Sequence, residues 1–386
     1  MSYLVLDVET TISNTGNPFD KTNKLVMVGL LSDKEVAVYD IEYSVDPYKE
    51  LLNNIQIAVD KADVLVGFNI KFDLHWLRRY GIDFSKKRIW DCQLVEFILR
   101  NQANAYPSLN RTAEFYELGT KLDEVKENYW KNGIDTDKVP QDILIDYLKR
   151  DVELTEKVMA EQMKELSKRP ELKRLISLHN QDLLVLQEME YNGLKYDYDK
   201  STVLGDELEE QIDKLNKRLY NYHSYDSFNP NSNDHLSAFL YGGIIKERIQ
   251  RPDGYFKTGK RKGEVKYKWQ EEDREFPRRI TPLPNSELKK EGFFSTNEET
   301  LKKLKSNKEG KDILNILLTR TTLEKRKSTY YQGIVNLIDE MNWIKDTIHG
   351  QLNQCVAKTG RLSSSKPNLQ NFDGEIKTLF PSRYGE

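Results

Sequence analysis

The chain has 386 residues, 31% of them charged and 38% apolar, with a formal net charge of −3. That length exceeds one ordinary hydrophobic core, so two or more domains are expected. No apolar run approaches the ~18 residues of a membrane span, and the N-terminus enters a strand with no secretory-signal pattern, so a cytoplasmic protein without a membrane partner is expected.

In chain order, the first part alternates strand-like and helix-like segments. Strands are predicted at 2–8, 24–31, 35–41 and 63–68, rich in Val, Leu and Ile with turn residues between them. Asn14–Asp20, with Gly16 and Pro18, reads as a loop. Helices are predicted at 46–61, opening after Asp46-Pro47, and at 72–80. A short strand near 88–91 leads into a helix over 92–101, and another helix follows near 108–118. Pro140-Gln141-Asp142 starts a long helix through about Leu166, and Lys168-Arg169-Pro170 is the first good boundary. Together these segments predict an α/β domain. Beyond the boundary the pattern turns mostly helical, at 171–191, 199–222, 297–306 and 309–341. Leu204, Leu208, Ile212, Leu215 and Leu219 recur at helical spacing and read as core packing. Residues 246–285 differ: dense in Lys, Arg, Gly and aromatics, they predict short strands and turns.

Charge is uneven along the chain. Through Glu165 there are 29 acidic against 21 basic residues; the remainder has 33 against 38. An acidic first part suits a metal site and a basic second part suits a polyanion, although ordinary variation in solvated charge gives the same balance. Cys92 and Cys355 are far apart and match no metal spacing, so buried free thiols in a reducing compartment are expected.

Three acidic segments carry the chemistry. Asp7-Val8-Glu9 ends the first predicted strand, with its two carboxylates two residues apart and hence on one face. Asn69-Ile70-Lys71-Phe72-Asp73 follows the strand Val64-Leu65-Val66, and Asp73 opens a helix. Tyr147 and Asp151 are four apart on the long helix and share a face. Taken singly, each has a plain alternative: solvated turn chemistry, a helix cap and a helix surface. Brought together they supply four carboxylates, the oxygen donors that Mg²⁺ and Mn²⁺ prefer. Two such ions can activate water and stabilise a leaving oxygen.

Leu-Asp-Val-Glu-Thr-Thr (6–11), Gly-Phe-Asn-Ile-Lys-Phe-Asp-Leu (67–74) and Tyr-Leu-Lys-Arg-Asp-Val-Glu-Leu-Thr (147–155) resemble, in order, the three motifs of DnaQ-like, ribonuclease H-fold 3′–5′ exonucleases with a tyrosine in the third motif. The resemblance implies a mixed sheet flanked by helices. It implies Asp7, Glu9, Asp73 and Asp151 as ligands of two divalent cations, Mg²⁺ or Mn²⁺, and Tyr147, assisted by Glu9, as the residue that orients the attacking water. Thr10, Asn69 and Phe72 would hold the terminal nucleotide of a single-stranded DNA 3′ end. The family often places an apolar wedge after its first motif; here Ile12 is followed by Ser13 and a polar loop, a departure from that pattern.

Near the C-terminus, Thr359-Gly360-Arg361-Leu362-Ser363-Ser364-Ser365-Lys366-Pro367-Asn368-Leu369-Gln370-Asn371 reads either as a polar loop or as a sequence-independent DNA contact. In the second reading cations meet phosphates and amides meet the acceptors common to all base pairs. The segment resembles family A DNA polymerases just before their first catalytic palm motif. Phe228-Asn229-Pro230-Asn231-Ser232 and Lys325-Arg326-Lys327-Ser328-Thr329-Tyr330 resemble that family's thumb turn and thumb-helix DNA contact. This resemblance implies primer-template contacts at Lys325, Lys327, Arg361, Asn368, Gln370 and Asn371. It implies an exonuclease domain at 1–167, a mostly helical thumb at 168–348 with a basic, β-rich insertion at about 242–292 that is common in phage members, and an initial palm segment at 349–386. The family's later palm and fingers motifs are not among these residues, so the expected activity is a proofreading-type 3′–5′ exonuclease without polymerisation by this chain alone. Palm and fingers would come from a partner chain, as in a split phage polymerase in the host cytoplasm, or the sequence would be a truncation. A DNA-binding or assembly subunit of a replisome and an RNA-processing nuclease are the competing functions.

Overall fold

The structure is a computed structural model that describes residues 2–42, 48–122, 124–225 and 227–385. It divides into two compact units, Met1–Lys200 with Ile334–Glu386, and Ser201–Gly333.

The first unit opens with β1 (Tyr3–Thr10), β2 (Leu25–Ser32) and β3 (Glu35–Asp40). Next come α1 (Tyr48–Lys61), β4 (Val64–Gly67), α2 (Ile70–Arg79), β5 (Arg88–Asp91) and α3 (Cys92–Leu99). Then follow α4 (Leu109–Phe115), α5 (Glu124–Asn128), α6 (Gln141–Lys168), α7 (Lys173–Asn192) and β6 (Leu194–Lys195). β1 to β5 form one mixed sheet in the order β3-β2-β1-β4-β5, antiparallel across β3-β2-β1 and parallel across β1-β4-β5. Leu4-Val5-Leu6 and Leu25-Val26-Met27-Val28 are buried on both faces, as central strands covered by helices must be. β4 pairs with β1 only at Tyr3, Leu4 and Val5. The end of β1 therefore runs past its parallel neighbour and leaves Asp7 and Glu9 beside an open crevice, where open α/β sheets present their ligand sites. Gly29 fixes the other wall. A Cβ there would lie 2.8 Å from Leu148 Cγ, so only glycine lets α6 settle this closely on β2 and carry Tyr147 and Asp151 to the end of β1.

The chain continues through α8 (Tyr198–His223), α9 (Asn233–Tyr241), β7 (Gly243–Tyr255), β8 (Val265–Phe276), α10 (Glu298–Lys303), α11 (Lys308–Arg326), a π turn (Lys327–Tyr331) and α12 (Gln332–Glu340). The second unit has its own core, in which Leu219, Phe228, Phe239, Phe276, Ile313 and Leu317 are buried together. The short strands β9 (Thr347–Ile348), β10 (Gln351–Asn353) and β11 (Ser363–Ser365) follow. No helix among the described residues is long and apolar enough to cross a membrane.

Several boundaries move. α2 begins at Ile70 rather than 72, because Asn69 takes a left-handed conformation at φ 64° and launches the helix early. α3 stops at Leu99 and not 101; Asn101 and Gln102 both have positive φ. The helix expected over 309–341 is interrupted by the π turn, which shifts the phase of its faces. The short strands and turns expected over 246–285 are one long hairpin, paired from Gly243↔Phe276 to Tyr255↔Val265. Cross-strand pairing supplies hydrogen bonds that a single strand's pattern does not display. α5 was not expected. The helix start at Asp46-Pro47 falls outside the described residues.

A buried polar knot ties α2 to α7 and β10. Glu190 accepts from Lys71 Nζ at 2.6 Å, from His75 Nε2 at 2.8 Å and from the Leu352 N–H at 2.5 Å. Gln187 Nε2 donates to His75 Nδ1 at 3.2 Å, which leaves the imidazole proton on Nε2, facing Glu190. Burial alone would raise the Glu190 carboxyl; the hydrogen bond from His75 and the charge of Lys71 outweigh it and hold the group below its usual range. A carboxylate depressed on folding stabilises the fold above its unfolded pKa, and that contribution is lost as pH falls through the folded value. Glu190→Ala removes the carboxylate partner of the partly buried Lys71, which keeps only the Leu352 carbonyl at 2.6 Å, and leaves His75 Nε2 without its acceptor, an expected loss of about 3 kcal/mol. Urea unfolding at neutral pH should show it, and the deficit relative to wild type should shrink in acid.

Candidate functional site

The crevice at the end of β1 is a cleft of about 470 Å³ lined by Asp7, Glu9, Thr10, Ile12, Asn69, Phe72, Asp73, Lys121, Tyr147 and Asp151, among others. A larger cleft of about 550 Å³, between Arg78–Ser85 and Gln181–Glu188, brings no group of carboxylates together. Carboxylate oxygens of Asp7, Glu9 and Asp151 lie within 4.8 Å of one another. Asp7 and Glu9 come from one face of β1; Asp151 arrives from α6. Glu9 and Asp151 are buried, and Asp151 Oδ1 is shielded from water without a hydrogen-bond partner. Three carboxylates this close, one of them with an oxygen that no hydrogen bond satisfies, form the kind of oxygen donor set a hard cation takes.

Asp73 lies on the same wall and does not join that close triad. Its Oδ1 accepts the Val8 N–H at 3.0 Å, which pins α2 to β1 between the two carboxylates of the first motif. Asn69 is held in its left-handed turn by a hydrogen bond from its N–H to Asp91 Oδ1 at 3.1 Å. Asp91 also caps α3 by accepting from the Gln93 and Leu94 N–H groups. Phe72 is half-buried and Thr10 is buried, both facing the cleft. Gly16, at φ +69°, sits so close that a Cβ would come within 2.6 Å of Thr10 Oγ1 and 3.2 Å of the Phe72 ring. The Ile12 N–H donates to Asp135 Oδ1 at 2.9 Å, which fixes that apolar side chain at the rim.

The electrostatics follow from crowding. Burial, and then the charge of Asp151, push the Asp7 carboxyl up to about 7. Glu9 and Asp73 are raised well above the carboxylate range by burial and then by Asp7. Asp151 is raised by burial and partly relieved by Lys121. Lys121 Nζ pairs with Asp151 and lies 5.2 Å from the centre of the Tyr147 ring. Burial alone would depress this amine, but Asp151, Tyr147 and Asp7 more than reverse it, so the side chain stays a cation. The Tyr147 phenol is raised by burial and packs edge-on against Trp130 at 5.8 Å.

Sequence reasoning missed Lys121, Asp91 and Asp135. Asp91 carried a readable signal, since an acidic residue just before a predicted helix is a favoured N-cap. Lys121 and Asp135 sit in polar connecting segments where nothing local sets them apart. Arg361, Asn368, Gln370 and Asn371 are exposed around β11 in the first unit. Two of these amides already serve the chain: Asn368 Oδ1 accepts from the Gln370 N–H at 3.2 Å, and Gln370 Nε2 donates to the Leu362 carbonyl at 2.7 Å. Lys325 and Lys327 belong to the second unit, at the end of α11 and in the π turn; Lys325 is exposed, and Lys327 pairs with Glu209.

Comparison with known proteins places these residues in context. Residues 275–383 match DNA polymerase family A. A DNA polymerase I from Synechocystis sp. is 28% identical over 81% of this chain and 28% of its own length. The Bacillus subtilis DNA polymerase I is 25% identical over 86% of the chain and 32% of its own length. A DNA polymerase of Bacillus phage SP01 is 24% identical over the whole chain and 46% of its own length. The chain therefore spans less than half the length of these relatives. In fold it is similar to the POL domain of Pol1 from M. smegmatis, solved in complex with DNA primer-template and dNTP, with a TM-score of 0.65 at 16% identity, covering 97% of this chain and 53% of that one. The chain is homologous to family A DNA polymerases of the DNA polymerase I type.

Proposed function

We propose that this chain is a metal-dependent 3′–5′ exonuclease that releases nucleoside monophosphates from single-stranded DNA 3′ ends. We further propose that the nuclease occupies residues 1–167 in a ribonuclease H-like fold, with a thumb-like region at 168–348 and a palm segment from 349. The convergence of Asp7, Glu9 and Asp151, with Asp151 Oδ1 left without a hydrogen-bond partner, carries the reading. The donor set fits two divalent cations, Mg²⁺ or Mn²⁺, which when bound polarise a phosphodiester and make water acidic enough to attack it.

The chain's own residues have distinct tasks in this reading. Asp7, Glu9 and Asp151 hold the cations, and Asp73, anchored on the Val8 N–H, completes the acidic wall. Tyr147 orients the attacking water with its hydroxyl, assisted by Glu9, and the packing of Trp130 restricts its ring. Lys121 balances part of the charge of Asp151. Thr10, Asn69 and Phe72 grip the terminal nucleotide, with Asn69 held in place by Asp91. Arg361, Asn368, Gln370, Asn371, Lys325 and Lys327 contact primer-template DNA. Polymerisation belongs to the named relatives and is not assigned to these 386 residues; a chain supplying palm and fingers is the partner to add when testing for it.

Asp7→Ala and Asp151→Ala should each abolish Mg²⁺-dependent release of mononucleotides from a labelled oligodeoxynucleotide, and wild-type rates in either variant would sink the assignment. Tyr147→Phe should slow a single turnover at least about 100-fold, the scale of a positioned proton-handling group, with DNA affinity within twofold of wild type. Metal should also be visible without turnover. In chelator the protein should melt lower, and Mn²⁺ at about 100 times its Kd should restore about 2.7 kcal/mol. Asp7→Asn should melt higher than wild type in chelator and gain little from Mn²⁺.

A further inference from the structure

The hairpin β7–β8 is used by none of the chemistry above, and its surface is unusual. Its base is built into the second unit: Ile245 and Phe276 are buried in that core, and Arg274 Nε donates to Tyr225 Oη at 2.7 Å. Its outer part is exposed along both strands. Cross-strand partners share a face and residues two apart do as well. The pairs Gln250↔Trp269, Pro252↔Tyr267 and Tyr255↔Val265 therefore set three aromatic rings on one side of the ribbon. Trp269, Tyr267 and Tyr255 are 56%, 55% and 66% exposed. Each of the three therefore leaves more than half of its surface open to solvent.

Charge is segregated on the same ribbon. Residues 248–270 carry eight Lys and Arg against two acidic residues, Asp253 and Glu264. Those two are paired with Lys266 and Arg261, and Arg251 reaches Glu272 nearer the base. Arg248, Lys257, Lys260, Lys262 and Lys268 make no ion pair among the described residues. Unpaired cations flanking an open aromatic row are the two elements of a single-strand platform, in which phosphates are neutralised and unpaired bases stack. Duplex DNA hides its base faces, and a polyanionic peptide has none to offer.

We propose that the outer half of the β7–β8 hairpin binds single-stranded DNA, with Trp269, Tyr267 and Tyr255 as stacking platforms and the surrounding lysines and arginines on the phosphates. The site is independent of the nuclease assignment, since no residue of the cleft takes part.

The test uses the full chain carrying Asp7→Ala, in chelator so that no strand is cut, and follows fluorescence anisotropy of a 5′-labelled oligo-dT of twenty nucleotides. Removing each ring by Tyr255→Ala, Tyr267→Ala or Trp269→Ala should weaken binding at least about 5-fold, while Trp269→Phe, which keeps a ring, stays within twofold. Lys257→Ala, Lys260→Ala and Lys262→Ala together should lower the slope of log affinity against log salt by about 2. A blunt duplex should lose less than twofold on the aromatic substitutions. Equal losses for duplex and single strand, unchanged oligo-dT affinity in the three alanine variants, or competition by poly-glutamate as effective as by unlabelled oligo-dT would each overturn the proposal. All six aromatic and lysine sites that are replaced at the ribbon's surface lie away from the buried core, and unchanged melting temperatures verify that the fold is intact.

Discussion

Carboxylates buried side by side repel one another, and in this chain the crowding of Asp7, Glu9 and Asp151 governs much of what surrounds them. At an effective dielectric of about 20, two ionised carboxylates some 5 Å apart cost roughly 3–4 kcal/mol, before either is removed from water. Lys121, drawn in against Asp151, offsets part of this repulsion, while burial and mutual charge still raise the Asp7, Glu9 and Asp73 carboxyls above their ordinary range. The arrangement is unfavourable as a piece of structure and becomes favourable once positive charge arrives. That asymmetry, more than the number of acidic residues, distinguishes the cleft from a solvated acidic surface.

Holding such a cluster together requires rigid walls, and each is held by something other than the carboxylates. Gly29 admits Leu148, which brings α6 down onto the sheet. Asp73 grips the backbone of β1. The base of α2 is tied through Lys71 and His75 to Glu190, and through Glu190 to the backbone of β10. The helix that carries Asp73 is thus connected by buried hydrogen bonds to the small sheet β10–β11, next to which Arg361 and the exposed amides lie. The wall of the acidic cleft and the segment that bears Arg361 thus share one polar support.

The second unit follows a different logic. Its core is aromatic and self-contained, and it projects a ribbon whose exposed face is both aromatic and cationic. Burial explains nothing about that face, and its charge is concentrated far from the base. The first unit thus crowds like charges into a cleft, whereas on the ribbon Arg248, Lys257, Lys260, Lys262 and Lys268 make no ion pair among the described residues.

Much of this is legible in the sequence. Strict short-range rules placed Asp7 with Glu9 and Tyr147 with Asp151, because strand and helix periodicities decide which side chains share a face. The apolar runs of β1, β2 and β4 announced buried strands, and the basic, aromatic character of the ribbon stood out in composition. What the sequence by itself determined was the set of local elements and the residues each one presents. Only the tertiary structure decided that Lys121 enters the acidic cleft, that Asp73 spends an oxygen on the Val8 N–H and stands apart from the close triad, that Asp91 holds Asn69, and that 243–276 is a single long hairpin. Each of these depends on groups distant in sequence meeting through packing and long-range hydrogen bonds, and no periodicity of 2 or 3.6 residues encodes such a meeting.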